Sequence, residues 1–426
     1  MPSRLPELSA RTLTDYLDAL AGFTAPGSGV TRLAYDDAWC RAHQWLAARA
    51  RELGLAATPD SAGNLFFHDS SLRLRNAARP VLLVGSHFDS VVNGGRFDGA
   101  YGAIAGLLLA AQPREAGGMP VVGFATCEEE ESRFQAGLMG ARSLLGQVEA
   151  EELDRVVDSK GVSWRAALDA ARAKGCASPL VAGPRPFEPL FRAATMLELH
   201  IEQGPVLEAE QLALGLVQHI AGYSRLNLTI RGEARHSGTT PMALRRDALA
   251  AAAEMILAAE AEGRAAGDPA VATAGYVHPI PGLANVVPGR CELWLEARQT
   301  ETAKLDQLVA ALRRRCEEIA ARRQVTLEIE ERSRVDPTAL SADLVATAER
   351  LARELGIPHR RMASGAAHDT MVFARAGVPA MMVFVPSQSG ISHSPEEFTD
   401  AEALAAGCRF AAALIQRLVR APVPQP

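Results

Sequence analysis

The 426-residue chain is short of several features that would place it quickly. Its six cysteines, Cys40, Cys127, Cys176, Cys291, Cys316 and Cys408, show no CxxC pair and no regular spacing. That excludes a zinc ribbon or a disulfide framework as the organising device and leaves reduced, mostly buried thiols. No run of about eighteen apolar residues exists, so no membrane span is expected. The opening MPSRLPELSARTLTDYLDAL lacks the continuous apolar core of a secretory signal. Basic residues are scattered, with no long run beyond Arg313-Arg314-Arg315, and the formal net charge is -6. A nucleic-acid binder would show a basic stripe instead. No internal repeat is evident. These absences together predict a soluble, cytoplasmic protein.

What is present is ordinary globular composition, 48% hydrophobic and 22% charged. A prior of roughly 150 residues per domain allows two or three units. Residues 36–51 carry apolar side chains at helical spacing, with Gly54 as the stop signal. The run VLLVG at 81–85 leads into Ser86-His87-Phe88-Asp89. The run VVGFA at 121–125 leads into Thr126 and four acids at 128–131. Residues 196–199 lead the same way into His200. Short apolar runs of this kind suit buried strands of an α/β sheet, whose active sites gather at the carboxyl ends of the strands.

Residues 150–190 read as helix plus loop. From about 212 the texture changes: alternation over 226–230, an Ala-rich helix over 244–265, strands at 271–277 and 291–295, a helix over 302–321, and alternation again at 325–329. That order matches a small split β-α-β sandwich. It carries none of the acidic clusters and reads as a domain inserted at 210–328, between 1–209 and 329–426 of a catalytic domain. After Ser341 come a helix to Leu355, the segment GAAHD at 365–369, a helix through Arg375 and a strand at 380–385. The loop 387–395 then carries His393, and a last helix runs from Asp400 to about Arg420, before a frayed tail, APVPQP. The fold class expected is α/β, a mixed central sheet flanked by helices plus a smaller α+β sandwich.

Five groups with metal-ligand chemistry lie at or after strand ends: His87, Asp98, Glu130, His200 and His393. Imidazole nitrogen and carboxylate oxygen suit zinc-type ions. One histidine and one carboxylate per ion, with a further carboxylate shared, would hold two divalent ions able to activate a water. Asp89, two residues beyond His87, is near enough to hydrogen-bond the imidazole and fix its tautomer. The Gly-rich turn NGGRFDG at 93–99 delivers Asp98. Four acids at one strand tip repel each other unless a cation lies among them. His43, His68, His278 and His359 read as surface or core residues.

The segments GSHFDSVVNGGRFDG, EEEESRF, ELHIEQGPVLE, RHSGTTPM, NVVPG, SGAAHD and SGISHSPEE resemble, in matching order over about 80–400, the motifs of the hydantoinase/carbamoylase amidases. These amidases sit in the wider clan of aminoacylases and dinuclear metallopeptidases. The resemblance implies that the inserted domain is a lid and dimerisation domain. It puts His87 and His393 on either side of a metal pair bridged by Asp98, with Glu130 and His200 completing the two spheres. Glu129 would be the general base. His236 would be a lid histidine that reaches the partner subunit's active site and stabilises the oxyanion. Asn285 and Arg298 would hold a substrate carboxylate, Gln203 would be a polar substrate contact, and His368 and Asp369 would support the site without ligating.

Three segments depart from the family pattern: Glu131 stands where glycine is usual, Glu296-Ala297 replaces an Asp-based approach to Arg298, and Phe88 replaces an aliphatic residue. The implied reaction is removal of the N-carbamoyl (ureido) group of an L-amino acid, giving the amino acid, ammonia and carbon dioxide. Allantoate amidohydrolase and β-ureidopropionase are the neighbouring activities, and a non-catalytic amino-acid binder is the contrasting one. The implied cofactors are two divalent ions per subunit, zinc first, with manganese, cobalt or nickel also fitting. The implied assembly is a homodimer.

Overall fold

In the computed structural model, which describes residues 6–74, 80–114 and 118–420, the apolar runs become strands and the periodic stretches become helices. The tail at 421–426 lies outside the described residues. The chain divides into a larger unit, 1–218, 340–362 and 368–426, and a smaller one, 219–339 with 363–367.

Six strands come first: β1 (Leu55–Pro59), β2 (Leu65–Asp69), β3 (Val81–His87), β4 (Val121–Thr126), β5 (Ala193–Ile201) and β6 (Leu214–Ile220). Then follow β7 (Gly222–Arg231), β8 (Arg235–His236), β9 (Val271–Ile280), β10 (Val286–Val287), β11 (Arg290–Gln299), β12 (Thr326–Val335) and the short β13 (Thr338–Ala339), which pairs with the end of β6. β14 (His359–Ser364) and β15 (Ala380–Val385) come last.

The sheet of the larger unit runs β1-β2-β4-β3-β5-β15-β6, with β14 also paired to β6. Its centre, β4-β3-β5-β15, is parallel. The pairs β1-β2, β2-β4 and β15-β6 are antiparallel, so the sheet is mixed. Every residue of β3, β4 and β15 is buried. A strand covered on both faces has no solvent side to mark with polar residues, which is why these runs read as continuously apolar. The helix Ala100–Ala110, AYGAIAGLLLA, is likewise buried along its whole length and packs on β3 and β4. The helix Asp37–Glu52 starts where expected, capped by Asp36, whose Oδ1 accepts from the Trp39 N–H at 2.6 Å.

The smaller unit holds a four-stranded antiparallel sheet in the order β12-β7-β11-β9, with the helices Ala248–Ala266 and Thr302–Arg323 packed on it. Alternate residues Leu226, Leu228 and Ile230 of β7 and Cys291, Leu293, Leu295 and Ala297 of β11 enter the core beneath the helices. With period two, Glu292, Trp294, Glu296 and Arg298 therefore take the opposite face. The Ala-rich helix starts at Ala248, later than its composition suggests. Asp247 caps it by accepting from the Leu249 and Ala250 N–H groups at 3.0 Å, and 242–244 form a separate 3-10 turn. Residues 210–218 lie with the larger unit because β6 pairs there with β15, and β12 continues past 328 to Val335. Among the described residues no helix is long and apolar enough to cross a membrane. All six cysteines are buried and unpaired.

Candidate active site

Parallel strands put their carboxyl ends on one edge of the sheet, and the ionisable groups gather there. His87 ends β3 opposite Thr126 of β4, and His200 lies near the end of β5 opposite Phe384 of β15. The acids at 128–131 follow β4, and the loop carrying His393 follows β15. Asp98 arrives on the turn at 93–99, just before the helix Ala100–Ala110. Gly99 has φ +62°, and a Cβ there would lie 2.3 Å from His87 Cε1, so only glycine lets the helix start this close to the imidazole.

The five expected ligands converge around Asp98. Its Oδ1 lies 3.1 Å from His200 Nε2 and 3.5 Å from His87 Nε2, and its Oδ2 lies 3.1 Å from His393 Nε2. His393 Nε2 is also 3.4 Å from Glu130 Oε2. Two sets of potential ligand atoms result, His87/Asp98/His200 and Asp98/Glu130/His393, each within 4.8 Å of one another and sharing Asp98. The spacing of the motifs had left open which histidine pairs with which partner. Behind the histidines, His200 Nδ1 donates to the Ile201 carbonyl at 2.8 Å, and His87 Nδ1 to the Asp89 carbonyl at 3.2 Å. A proton held on Nδ1 turns the Nε2 lone pair inward. The Asp89 carboxylate stands 3.7 Å from that Nδ1, beyond hydrogen-bond range. It accepts instead from the Glu129 N–H at 3.1 Å and the Glu130 N–H at 3.2 Å. Asp89 thus shapes the acidic loop with its side chain and the histidine with its backbone.

The four acids separate by backbone. Glu128 (φ +49°) turns away from the cluster, its Oε1 accepting from the Arg133 and Phe134 N–H groups at 3.0 and 2.5 Å. Glu131 (φ +50°) is exposed. Between them Glu129 and Glu130 face the histidines, with Glu129 Oε2 3.8 Å from His87 Nε2. Burial, with Asp98 as the largest adjoining charge, pushes Glu130 up to about 8. Burial also raises Glu129 well above the usual carboxylate range; His87 opposes this, and Glu130 adds to it. Asp98 goes the other way: burial pulls it up, but hydrogen bonds from His200, His393 and His87 hold it well below the ordinary value. The hydrogen bond to Asp98 lifts His393 to about 9.

The donor set fits a divalent cation. It consists of imidazole nitrogens and carboxylate oxygens, and Glu130 Oε1 is buried with no hydrogen-bond partner in the protein. A buried carboxylate oxygen without a donor is costly, and a bound cation removes that cost.

The supporting residues are also placed. His368 is buried against His200, ring centroids 4.7 Å apart at 64°, and burial, together with His200, keeps it well below its ordinary pKa. Asp369 Oδ2 accepts from the Thr126 hydroxyl, and burial with Glu198 nearby pushes the carboxyl up to about 7. Gln203 donates through Nε2 to Asp98 Oδ2 at 2.8 Å, and its Oε1 is buried without a partner. Sequence reasoning missed Glu198. Fully buried in β5, it accepts from Ser86 Oγ at 2.7 Å and the Thr370 N–H at 3.0 Å, tying the two histidine-bearing strands to the helix Asp369–Arg375. The available signal was an ionisable residue inside the buried run MLELH.

The three remaining candidates belong to the smaller unit. His236 and Asn285 are exposed neighbours: His236 pairs with Val286, and the Ser237 N–H donates to the Asn285 carbonyl at 3.0 Å. His236 Nδ1 accepts from the Gly238 and Thr239 N–H groups at 3.1 and 3.3 Å, which places its proton on Nε2. Arg298 on β11 is held by Glu296 Oε1 at 2.7 Å and the Gly365 carbonyl at 2.5 Å, with its guanidinium 5.5 Å from the Tyr223 ring centroid.

Comparison with known proteins places this arrangement. The profile of peptidase family M20/M25/M40 matches residues 83–417, and the chain belongs to that family. The N-carbamoyl-L-amino-acid amidohydrolase of Paenarthrobacter aurescens is 36% identical over 423 residues, covering 98% of this chain and all of that one. The allantoate amidohydrolase of Escherichia coli (strain K12) is 35% identical over 418 residues, covering 96% of this chain and 98% of that one. The crystal structure of a hydantoinase/carbamoylase family amidase from Burkholderia multivorans matches with a TM-score of 0.87 at 31% identity, covering 98% of this chain and 99% of that one. Within the family the chain stands with these amidases, and it is a hydrolase of amide C–N bonds.

Proposed function

We propose that the protein hydrolyses the N-carbamoyl group of an L-amino acid to the amino acid, ammonia and carbon dioxide, using two divalent ions. One ion would be held by His87, His200 and Asp98, the other by Glu130, His393 and Asp98, with zinc the first candidate and manganese, cobalt and nickel chemically acceptable. The observation that carries this reading is the sharing of Asp98 by two three-ligand sets with a buried Glu129 beside them. When bound, such ions polarise a carbonyl and lower the pKa of a water.

The protein's own groups do the rest. Glu129 removes a proton from the attacking water and passes it to the leaving nitrogen, a role that a carboxylate raised by burial can fill in both directions. The addition consumes one water, and the released carbamate decomposes to ammonia and carbon dioxide. Gln203 Oε1 is left to accept from a substrate N–H. Arg298 and Asn285 take the α-carboxylate. His236, with its proton on Nε2, donates to the developing oxyanion. In this reading the protein is a cytoplasmic homodimer, the inserted domain serves as lid and dimerisation domain, and His236 acts in the partner subunit's site. Exposed strand edges in that domain and six unpaired thiols are consistent with both.

The second reading is allantoate hydrolysis, favoured by the almost equal identity to the allantoate amidohydrolase, 35% against 36%. Ammonia release is the test, measured from a panel of N-carbamoyl-L-amino acids, allantoate and N-carbamoyl-β-alanine with each metal in turn. Turnover of N-carbamoyl-L-amino acids above the others supports the first reading; no ammonia from any of them overturns it.

A further inference from the structure

Asp98 and His393 are nearly 300 positions apart, and one side chain outside the ligand set joins the Asp98 backbone to the side chain that precedes His393. Glu397 is buried, 4% exposed, at the foot of the loop that follows β15. Its Oε1 accepts from the Phe97 N–H at 2.9 Å and the Asp98 N–H at 3.1 Å. Its Oε2 accepts from Ser392 Oγ at 2.9 Å. Ser392 immediately precedes His393, whose φ of +55° is an unfavourable backbone state for a non-glycine residue. Ser392 Oγ in turn accepts from Gln203 Nε2 at 3.2 Å, and the same nitrogen lies 2.8 Å from Asp98 Oδ2. A closed ring of contacts thus runs from Asp98 through Glu397, Ser392 and Gln203 back to Asp98.

The turn at 93–99 is shaped to admit this carboxylate. A Cβ on Gly95 would lie 2.1 Å from Glu397 Oε1 and 2.2 Å from its Cδ, so any other residue at 95 would displace it. Beside the ring, Phe97 and Phe398 pack edge to face with centroids 6.1 Å apart. Both oxygens of Glu397 are thus occupied by donors on the two segments that present Asp98 and His393.

We infer that Glu397 is a positioning residue for the metal centre, fixing the spacing between Asp98 and His393 and thereby the affinity for the ion held on the Glu130/His393 side. The inference rests on the ligand assignment proposed above. It also accounts for an acid in the SHSPEE segment that the ligand set leaves without a role.

The test is metal retention. Zn2+-loaded full-length protein is titrated with a chromophoric chelator, and circular dichroism and thermal unfolding are recorded on the same samples. E397A, which removes all three acceptor contacts, is expected to give up one of its ions roughly 10–100-fold more readily than wild type, the range seen when outer-shell partners of metal ligands are removed. E397Q retains one acceptor oxygen, and S392A removes the serine contacts while leaving Glu397 on the Phe97 and Asp98 N–H groups, so both are expected to fall between wild type and E397A. A purely structural role would lower the unfolding temperature and leave zinc retention unchanged. Wild-type retention in folded E397A overturns the inference; should E397A fail to fold, wild-type retention in both E397Q and S392A overturns it. D98N separates the two levels. Wild-type zinc retention in D98N overturns the ligand assignment itself, whereas loss in D98N with full retention in the Glu397 variants overturns only the role of Glu397.

Discussion

The two units handle polar groups in opposite ways. In the larger unit, ionisable side chains sit buried in the parallel strands or the loops that follow them and are met by polar partners: Asp98 by three histidines, Glu198 by Ser86 and Thr370. In the smaller unit, an antiparallel sheet buries one face under two helices, and its charged residues pair in partly exposed ladders, such as Arg225–Glu296–Arg298 and Glu254 with Arg323. Desolvation magnifies electrostatic interactions, so the first arrangement can shift proton affinities and hold cations. The second leaves guanidinium and imidazole groups solvated and able to meet an anion. In the proposed reading, reaction chemistry and recognition chemistry fall on surfaces of different dielectric.

If that division is right, the largest effect should come from the buried side. Glu129→Gln is expected to lower kcat by roughly 10²–10⁴-fold, the usual worth of a general base, with metal content unchanged by elemental analysis. A loss of metal in that variant would move Glu129 from base to ligand and redraw the acidic loop.

Next comes the exposed side. Arg298→Ala is expected to raise KM for carboxylate substrates by about 10–100-fold, in line with about 1.5–3 kcal/mol for a hydrogen bond to a charged group. The corresponding carboxamide should be turned over alike by wild type and variant. Equal losses on acid and amide would assign Arg298 to holding its strand and not to recognition.

Acid sensitivity singles out the larger unit. His43 is buried against Trp39 and Phe88, ring centroids 5.2 and 6.1 Å apart, and burial pushes its pKa down to about 3. Its folded value is depressed below the ordinary 6.5, so the unfolded chain binds the proton more readily. The stabilisation is therefore complete above pH 6.5 and is lost as pH falls from there toward 3. At pH 5 the loss from this group is about 2 kcal/mol, by linkage at 1.36 kcal/mol per unit. His43→Phe should flatten the decline of denaturant stability between pH 7 and 5, followed by tryptophan fluorescence. An unchanged slope would show that other groups dominate acid sensitivity.

The smallest effect belongs to a ladder of the smaller unit. Glu254→Gln removes the charge and one of the two acceptor oxygens that meet Arg322 and Arg323 between the two helices and is expected to cost about 0.2–1 kcal/mol in thermal unfolding. A cost above about 2 kcal/mol would mean that this pair behaves like a buried one and would blur the contrast between the units.

Much of this is legible in the sequence. The strand at 380–385 and the helix near 37–52 were marked by apolar length, capping and stop signals, which are local. The five candidate ligands could be picked out because strand ends in α/β sheets are where ionisable groups collect. The helix start at Ala248 was missed because composition alone favours helix from 244, while the Asp247 side chain competes for the first N–H groups. Asp89 was read as a carboxylate partner for His87, since two residues is within reach. The backbone at the β3 exit instead turns that carboxylate toward the Glu129 and Glu130 N–H groups. Glu198 and Glu397 were invisible as site residues because their partners are between 5 and 300 positions away, a relation without a periodic signature.

The sequence by itself determined the central strands β3, β4, β5 and β15 and the longer helices, and it put histidines and carboxylates at the strand ends, because period, apolar length and turn chemistry act over a few residues. Only the tertiary structure decided that His200 sides with His87 and Glu130 with His393, and that Glu128 and Glu131, both at positive φ, leave the cluster to Glu129 and Glu130. Those outcomes depend on strand register and on backbone angles set by long-range packing, and neither is written in the spacing of four consecutive acids.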